Sequence, residues 1–208
     1  MAASTPPAWT TGMAPNSFAA LPAGRLGTFG GQLMRLLNRA QQREIARLLG
    51  SLAGKDVLEV GHGPGVLLGM LTRTARHVTG VDPSREMRAL AIRAHSGAIA
   101  AGRLEVRAGD AGATGLPDAA VDLVVAVNNV AIWPDLDAGV AELHRVLRPG
   151  GWLVLSWHGG ERPSRLARAL VLPEERLQRI EGAMRARFPD VRRTSTRRCT
   201  VFEARTTG

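Results

Sequence analysis

Tyrosine is absent from this chain of 208 residues, and cysteine and lysine occur once each, as Cys199 and Lys55. Without tyrosine no phenol can serve as a general base. A single thiol excludes an internal disulfide framework and any multi-cysteine metal site, and no metal is expected. No apolar run approaches the roughly 18 residues of a transmembrane helix. The first 24 residues lack the basic start and apolar stretch of a secretory signal, so a cytoplasmic chain is the expectation. Hydrophobic residues at 45% and charged residues at 22% are a globular composition. The length suits one domain plus a short extension.

The charge is uneven. There are 27 basic and 18 acidic residues, a net +9, and all the basic residues except Lys55 are arginines. Residues 1–55 carry +5, residues 56–158 carry −2 and residues 159–208 carry +6. A mildly acidic middle between basic flanks does not resemble a uniformly basic nucleic-acid binder, although it suits a basic rim around a neutral site.

Residues 1–30 are rich in Pro, Gly, Ala, Ser and Thr and read as a flexible N-terminal arm or lid. Apolar residues at helical spacing predict a helix over Gln32–Leu52, stopped by Gly54. Strands are then expected at Asp56–Val60, His77–Val81, Leu104–Arg107, Val121–Val127 and Trp152–Trp157, the last after a Pro149-Gly150-Gly151 turn. Helices are expected at Val66–Ala75, Ser84–Ala94 and Leu136–Leu147, with a helical stretch over Leu166–Phe188 interrupted at Pro173. Two last strands are expected at Val191–Thr196 and Cys199–Ala204. Alternating strands and helices imply an α/β, doubly wound, mostly parallel sheet with helices on both faces. No linker marks a second domain.

The first strand runs directly into Gly61, His62, Gly63, Pro64 and Gly65. Such a turn brings backbone close to a ligand, and the helix that follows offers unpaired N–H groups. A dinucleotide fingerprint would place the third glycine one residue later, and Pro64 removes an N–H that a pyrophosphate would use. Glu59, two residues before the turn, would repel a pyrophosphate and suits a cationic ligand. Asp82 closes the second strand, where a carboxylate can accept two ribose hydroxyls, or cap the following helix. Asp110 follows the third strand, placed either to accept from an adenine amino group or to form an ordinary turn. Three acids at the ends of three neighbouring strands point to the carboxyl edge of the sheet, where doubly wound folds bind ligands.

With Thr79-Gly-Val-Asp-Pro-Ser84, Ala108-Gly-Asp-Ala111 and Leu147-Arg-Pro-Gly-Gly-Trp152, these motifs resemble, in order and spacing, the class I S-adenosylmethionine-dependent methyltransferases. The resemblance covers about Gly54 to Ser156. It is nearest the branch acting on small or lipid-like acceptors, similar to quinone-biosynthesis and phosphatidylethanolamine methyltransferases. It implies a seven-stranded sheet with an antiparallel last strand, within a single domain over residues 31–208. It implies S-adenosylmethionine as cofactor, with S-adenosylhomocysteine as product. Gly61, His62, Gly63 and Gly65 would wrap the methionine end, with Glu59 near the ammonium. Asp82 would hold the ribose; Asp110 and the Ala111 N–H would read the adenine. Met87 would be an apolar adenine contact or a core residue, and Asn128 would turn its backbone toward the methionine end. The chain has His62 and Pro64 where the family often has a small residue and Thr or Ser. It also has Asn128-Asn-Val-Ala-Ile-Trp133 in place of an Asn-Pro-Pro-aromatic motif, which disfavours nucleobase or amide nitrogen as acceptor.

With tyrosine absent, histidines are the candidate bases: His158 after the fifth strand and His62 in the glycine turn. Asn129 and Trp133 are candidates to line the acceptor pocket, with simple packing as the alternative for Trp133. Arg35, Arg39, Arg43 and Arg47 form a stripe that is either a solvated surface or a peripheral contact with anionic lipid. The expected partner is a small-molecule methyl acceptor, with no nucleic acid. The alternatives are an RNA or protein methyltransferase and a nicotinamide-type or non-catalytic nucleotide binder.

Overall fold

The computed structural model describes residues 8–10, 39–163 and 165–208. The strands are β1 (Asp56–Val60), β2 (His77–Val81), β3 (Leu104–Arg107), β4 (Val121–Val127), β5 (Leu147–His158), β6 (Asp190–Ser195) and β7 (Cys199–Arg205). They form one sheet in the order β3-β2-β1-β4-β5-β7-β6. β1 to β5 pair in parallel, while β7 runs antiparallel to both β5 and β6. This is the doubly wound, Rossmann-like arrangement expected, with its seven strands. The strand order reverses between β1 and β4, and the carboxyl ends of strands at such a switch point are where doubly wound sheets bind ligands.

Strict alternation along the central strands divides the core in two. Leu58, Val60, Val124, Ala126, Leu153 and Leu155 face helices α5 (Leu136–Val146) and α7 (Glu174–Arg185). Val57, Leu123, Val125, Val127, Val154 and Val201 face the other way. They pack there on α1 (39–49), α2 (Leu68–Leu71) and Ala91 of α3 (Arg85–Ala94). Side-chain period two in the strands and covered faces on both sides produce this sandwich. Burying one Leu or Val contributes roughly 1.5–3 kcal/mol, so these two rows supply most of the drive to fold. At the amino edge, Arg148 bridges Asp56 and Asp122 at 2.9 and 2.8 Å, and Arg76 also pairs with Asp56. These guanidinium groups hold the Asp56 carboxyl below its ordinary range.

Several boundaries moved. The helix expected over Val66–Ala75 is only Leu68–Leu71, followed by turns. Thr72 and Thr74, with a hydroxyl that bonds the Leu71 carbonyl, favour that early end. β5 begins at Leu147 rather than Trp152, because Leu147 already pairs with Val121 and the Pro-Gly-Gly segment is absorbed as an irregularity. The stretch after Leu166 divides into α6 (Arg165–Arg168) and α7, with Pro173 at the α7 N-cap. A short α4 (Ser96–Ala100) was not foreseen.

Candidate functional site

The turn after β1 is held from several sides. Gly61, Gly63 and Gly65 all have left-handed φ, at +65°, +54° and +82°. At Gly61 the requirement is also steric, since a Cβ there would collide with the Asn129 amide. At Gly65 it would stand 3.0 Å from the Ala91 Cβ, and the Gly65 carbonyl faces His95 Nε2 at 2.7 Å. Gly61 and Gly65 therefore serve a close approach of the turn to the end of β4 and to α3.

Asp82 ties the turn to the next strand. One carboxylate oxygen accepts from Gly63 N at 2.8 Å and the other from Ser84 N at 2.9 Å. The α3 cap is Ser84, whose hydroxyl accepts from Met87 N. Met87 is buried. Asp110 closes a turn, with one oxygen accepting from Gly112 N and Ala113 N at 2.8 and 3.0 Å; Ala111 is buried beside it.

Glu59 is the electrostatic anomaly. It is 2% exposed on the α1 side of β1, between Val125 and Gly80 in register. Its Oε2 is sealed from solvent without a partner. Burial first, and the Asp82 charge second, push its carboxyl well above the ordinary range. A buried carboxyl with an unpartnered oxygen at the foot of a glycine turn is kept neutral by its proton, and only a cation brought beside it would favour its charged form. An ammonium or sulfonium group fits it; a pyrophosphate does not.

His62 is buried within the turn. It is 1% exposed, its Nδ1 donates to the Gly63 carbonyl at 2.7 Å, and its Nε2 is sealed without a partner. The ring lies against Gly80, and burial lowers its pKa.

A second polar group joins β4 to β5. Asn128 has φ +58°, and its N bonds the Ser156 carbonyl at 2.9 Å. Asn128 Nδ2 donates to Gln41 Oε1 at 2.7 Å, and Gln41 Nε2 lies 3.1 Å from His158 Nδ1. His158 is 9% exposed, and burial pushes its pKa down to about 4. Asn129 donates to the Val60 carbonyl at 2.6 Å and accepts from Trp133 Nε1 at 2.9 Å. Trp133 is packed in the core against Gly139. The expected pocket liners are thus a clamp between β1 and β4 and a core indole. Trp9 anchors on the same segment, its indole donating to the Val130 carbonyl at 2.7 Å.

Gln41 was not foreseen. Its signal was an amide sharing a face with Ile45 and Leu49 at four-residue spacing, in a helix whose apolar stripe is buried. Arg39, Arg43 and Arg47 are exposed on α1, while Arg35 and most of the expected arm lie outside the described residues. Among the described residues no cluster of three His, Cys, Asp or Glu could hold a metal, and no helix is long and apolar enough to cross a membrane.

Comparison with known proteins bears on this geometry. Residues 58–155 match the family model described as a methyltransferase domain. The uncharacterized methyltransferase YdaC of Bacillus subtilis is 31% identical over 58% of this chain and 66% of its own length. The ubiquinone/menaquinone biosynthesis C-methyltransferase UbiE of Rubrivivax gelatinosus is 30% identical over 55% of this chain and 44% of its own. Ribosomal RNA small subunit methyltransferase A of Paracoccus denitrificans is 39% identical over 56% and 40%. The chain thus spans less than half of the last two relatives and just under two thirds of the first. A putative S-adenosylmethionine-dependent methyltransferase from Methanococcus maripaludis shares the fold, with a TM-score of 0.70 at 17% identity over 87% of this chain and 94% of that one. Sheet order, glycine turn and family match agree: residues 58–155 of this chain are a methyltransferase domain.

Proposed function

We propose that the chain transfers the methyl group of S-adenosylmethionine to a small-molecule acceptor, lipid-like or a natural product. The observation carrying this reading is Glu59, a buried carboxyl whose Oε2 is sealed without a partner at the foot of the glycine turn. When bound, the sulfonium cofactor supplies the electrophilic methyl carbon. Glu59 would hold the cationic amino-acid end, with the Gly61–Gly65 backbone around it. Asp82, already fixed by two N–H groups, keeps free lone pairs for the ribose hydroxyls. Asp110 and the Ala111 N–H would hold the adenine, with Met87 as an apolar contact. The Asn128 backbone borders the methionine end. Holding donor and acceptor in line reaches effective molarities of about 10⁵ M, roughly 7 kcal/mol of the barrier. An ionised acceptor needs no base.

The test is calorimetric. S-adenosylhomocysteine should bind and NAD should not; the reverse would move the chain to the nicotinamide class. Labelled donor incubated with pooled metabolites then identifies the methylated product by mass spectrometry. A second reading, an RNA acceptor, is favoured by the net +9 and the ribosomal RNA relatives. Strong, salt-sensitive retention of RNA on filters would favour it. Arg39, Arg43 and Arg47 support a peripheral contact with anionic lipid, and sedimentation with anionic vesicles measures it.

A further inference from the structure

The carboxyl ends of β4 and β5 are joined by a relay whose direction can be worked out atom by atom. The Arg198 carbonyl can only accept, and it faces Gln41 Nε2 at 3.3 Å. That fixes the Gln41 amide with its NH₂ toward β7 and its oxygen toward Asn128 Nδ2, 2.7 Å away. The same NH₂ lies 3.1 Å from His158 Nδ1. A nitrogen facing an amide donor must accept, so the ring proton stands on Nε2. His62 is the opposite case: a backbone carbonyl holds its proton on Nδ1, and its bare Nε2 is sealed. His158 Nε2 is not among the sealed atoms. It makes no hydrogen bond among the described residues and His158 keeps 9% exposure, so its N–H stands at the carboxyl end of β5, on the face of the sheet that carries Ser156.

We propose that Gln41 locks His158 as its Nε2–H tautomer, so that His158 donates a hydrogen bond to an anionic oxygen of the methyl acceptor instead of acting as a base. Gln41 is the positioning residue. The acceptor class is an oxygen acid, a carboxylate or a phenolate, that enters already ionised. One lone pair of its oxygen system takes the His158 hydrogen, and another forms the new C–O bond as the C–S bond breaks toward sulfur. The acid proton has already gone to solvent. The surroundings agree with an anion. Arg197 and Arg198 occupy the β6–β7 turn that bonds Gln41 and Glu44, and Arg43 and Arg47 are exposed on the same helix as Gln41. The acids and thiols packed here are few: Glu44, whose Oε1 is taken by the Arg197 N–H, exposed Glu161, and Cys199, which burial keeps a thiol with its pKa raised to about 12. From β5 the neutral Trp157 indole stands edge-on to the ring at 5.2 Å, and from β4 the neutral Asn128 shares Gln41 with it.

The inference rests on the methyl-transfer reading, and its tests separate from it. In the ¹⁵N-labelled full chain with S-adenosylhomocysteine, long-range ¹H–¹⁵N spectra should show His158 Nδ1 bare and Nε2 protonated from pH 6 to 8. Signals are assigned by their loss in His158→Gln. In Gln41→Glu the carboxylate should draw a proton to Nδ1. A wild-type Nδ1–H, or a Gln41→Glu spectrum identical to wild type, overturns the lock. For the acceptor, 4-nitrophenol and benzoate are titrated against the protein with S-adenosylhomocysteine. At least one should bind as the anion about ten times more tightly than as the neutral acid, as expected for one charge-assisted hydrogen bond. The preference should vanish in His158→Phe and return in His158→Gln, whose amide can donate. Equal binding of both forms, or binding of neither probe, overturns the donor role. Failure of S-adenosylhomocysteine itself to bind would strike the methyltransferase reading and leave the tautomer result standing.

Discussion

Replacing Glu59 by Gln separates what this carboxyl does for folding from what it does for the ligand. In the unfolded chain Glu59 ionises near its ordinary value of 4.5; in the folded chain burial, reinforced by Asp82, holds it protonated well above that. Its contribution to stability is therefore fully present below pH 4.5 and is lost as pH rises toward the folded pKa. Between those limits the folded state carries one more proton than the unfolded state, so stability falls by about 1.4 kcal/mol per pH unit. For a chain of this size that is roughly 3–5 °C of Tm per unit. The amide of the Glu59→Gln variant has nothing to titrate. The Tm of that variant minus that of wild type, without ligand, should widen at that rate from pH 5 upward until the folded pKa is passed. The amide's own hydrogen-bond balance adds a constant that does not change with pH. Binding should move oppositely. S-adenosylhomocysteine brings an ammonium that ionises Glu59, so calorimetry in two buffers of different ionisation enthalpy should show proton release by wild type alone. Losing a charged hydrogen bond costs about 1.5–3 kcal/mol, so Glu59→Gln should bind roughly 10- to 100-fold more weakly. Parallel Tm–pH curves with unchanged affinity would refute the reasoning.

Gly61→Ala should lose about 1–2 kcal/mol for the left-handed residue and a further 1–3 kcal/mol for the displaced Asn129 amide, read by urea unfolding. Gly182, exposed within α7 with open space around it, gives the opposite sign: Gly182→Ala should stabilise by about 0.5–1 kcal/mol. Asp82→Asn turns an NH₂ toward either the Gly63 or the Ser84 N–H, leaving a buried donor unpaired. It should cost about 1–3 kcal/mol and weaken S-adenosylhomocysteine binding, whereas equal stability would show the carboxylate to be replaceable. Trp9→Phe keeps the packing but removes the donor to Val130. A loss of about 0.5–1.5 kcal/mol in urea is expected, and no loss would show the anchor to be apolar only.

The sheet was legible because its information is local. A run such as Val121–Val127 announces a buried strand by itself, and glycines between Val60 and Val66 announce a turn whatever surrounds them. Hydrophobic period and turn chemistry act over a few residues, so the chain alone determined strand succession, the two-sided core and the acids at the sheet edge. Element ends were less legible, since Leu147 joins β5 through a partner 26 residues earlier in the chain, Val121. What the tertiary structure decided is which polar groups meet. Gln41 reaches Asn128 across 87 positions and His158 across 117. Asn129 is claimed by Val60 and Trp133, and His62 and Glu59 are sealed from solvent. The charge, tautomer and accessibility of a side chain depend on neighbours that only packing brings within hydrogen-bond reach, because dielectric and donor geometry are properties of the assembled site and not of the residue.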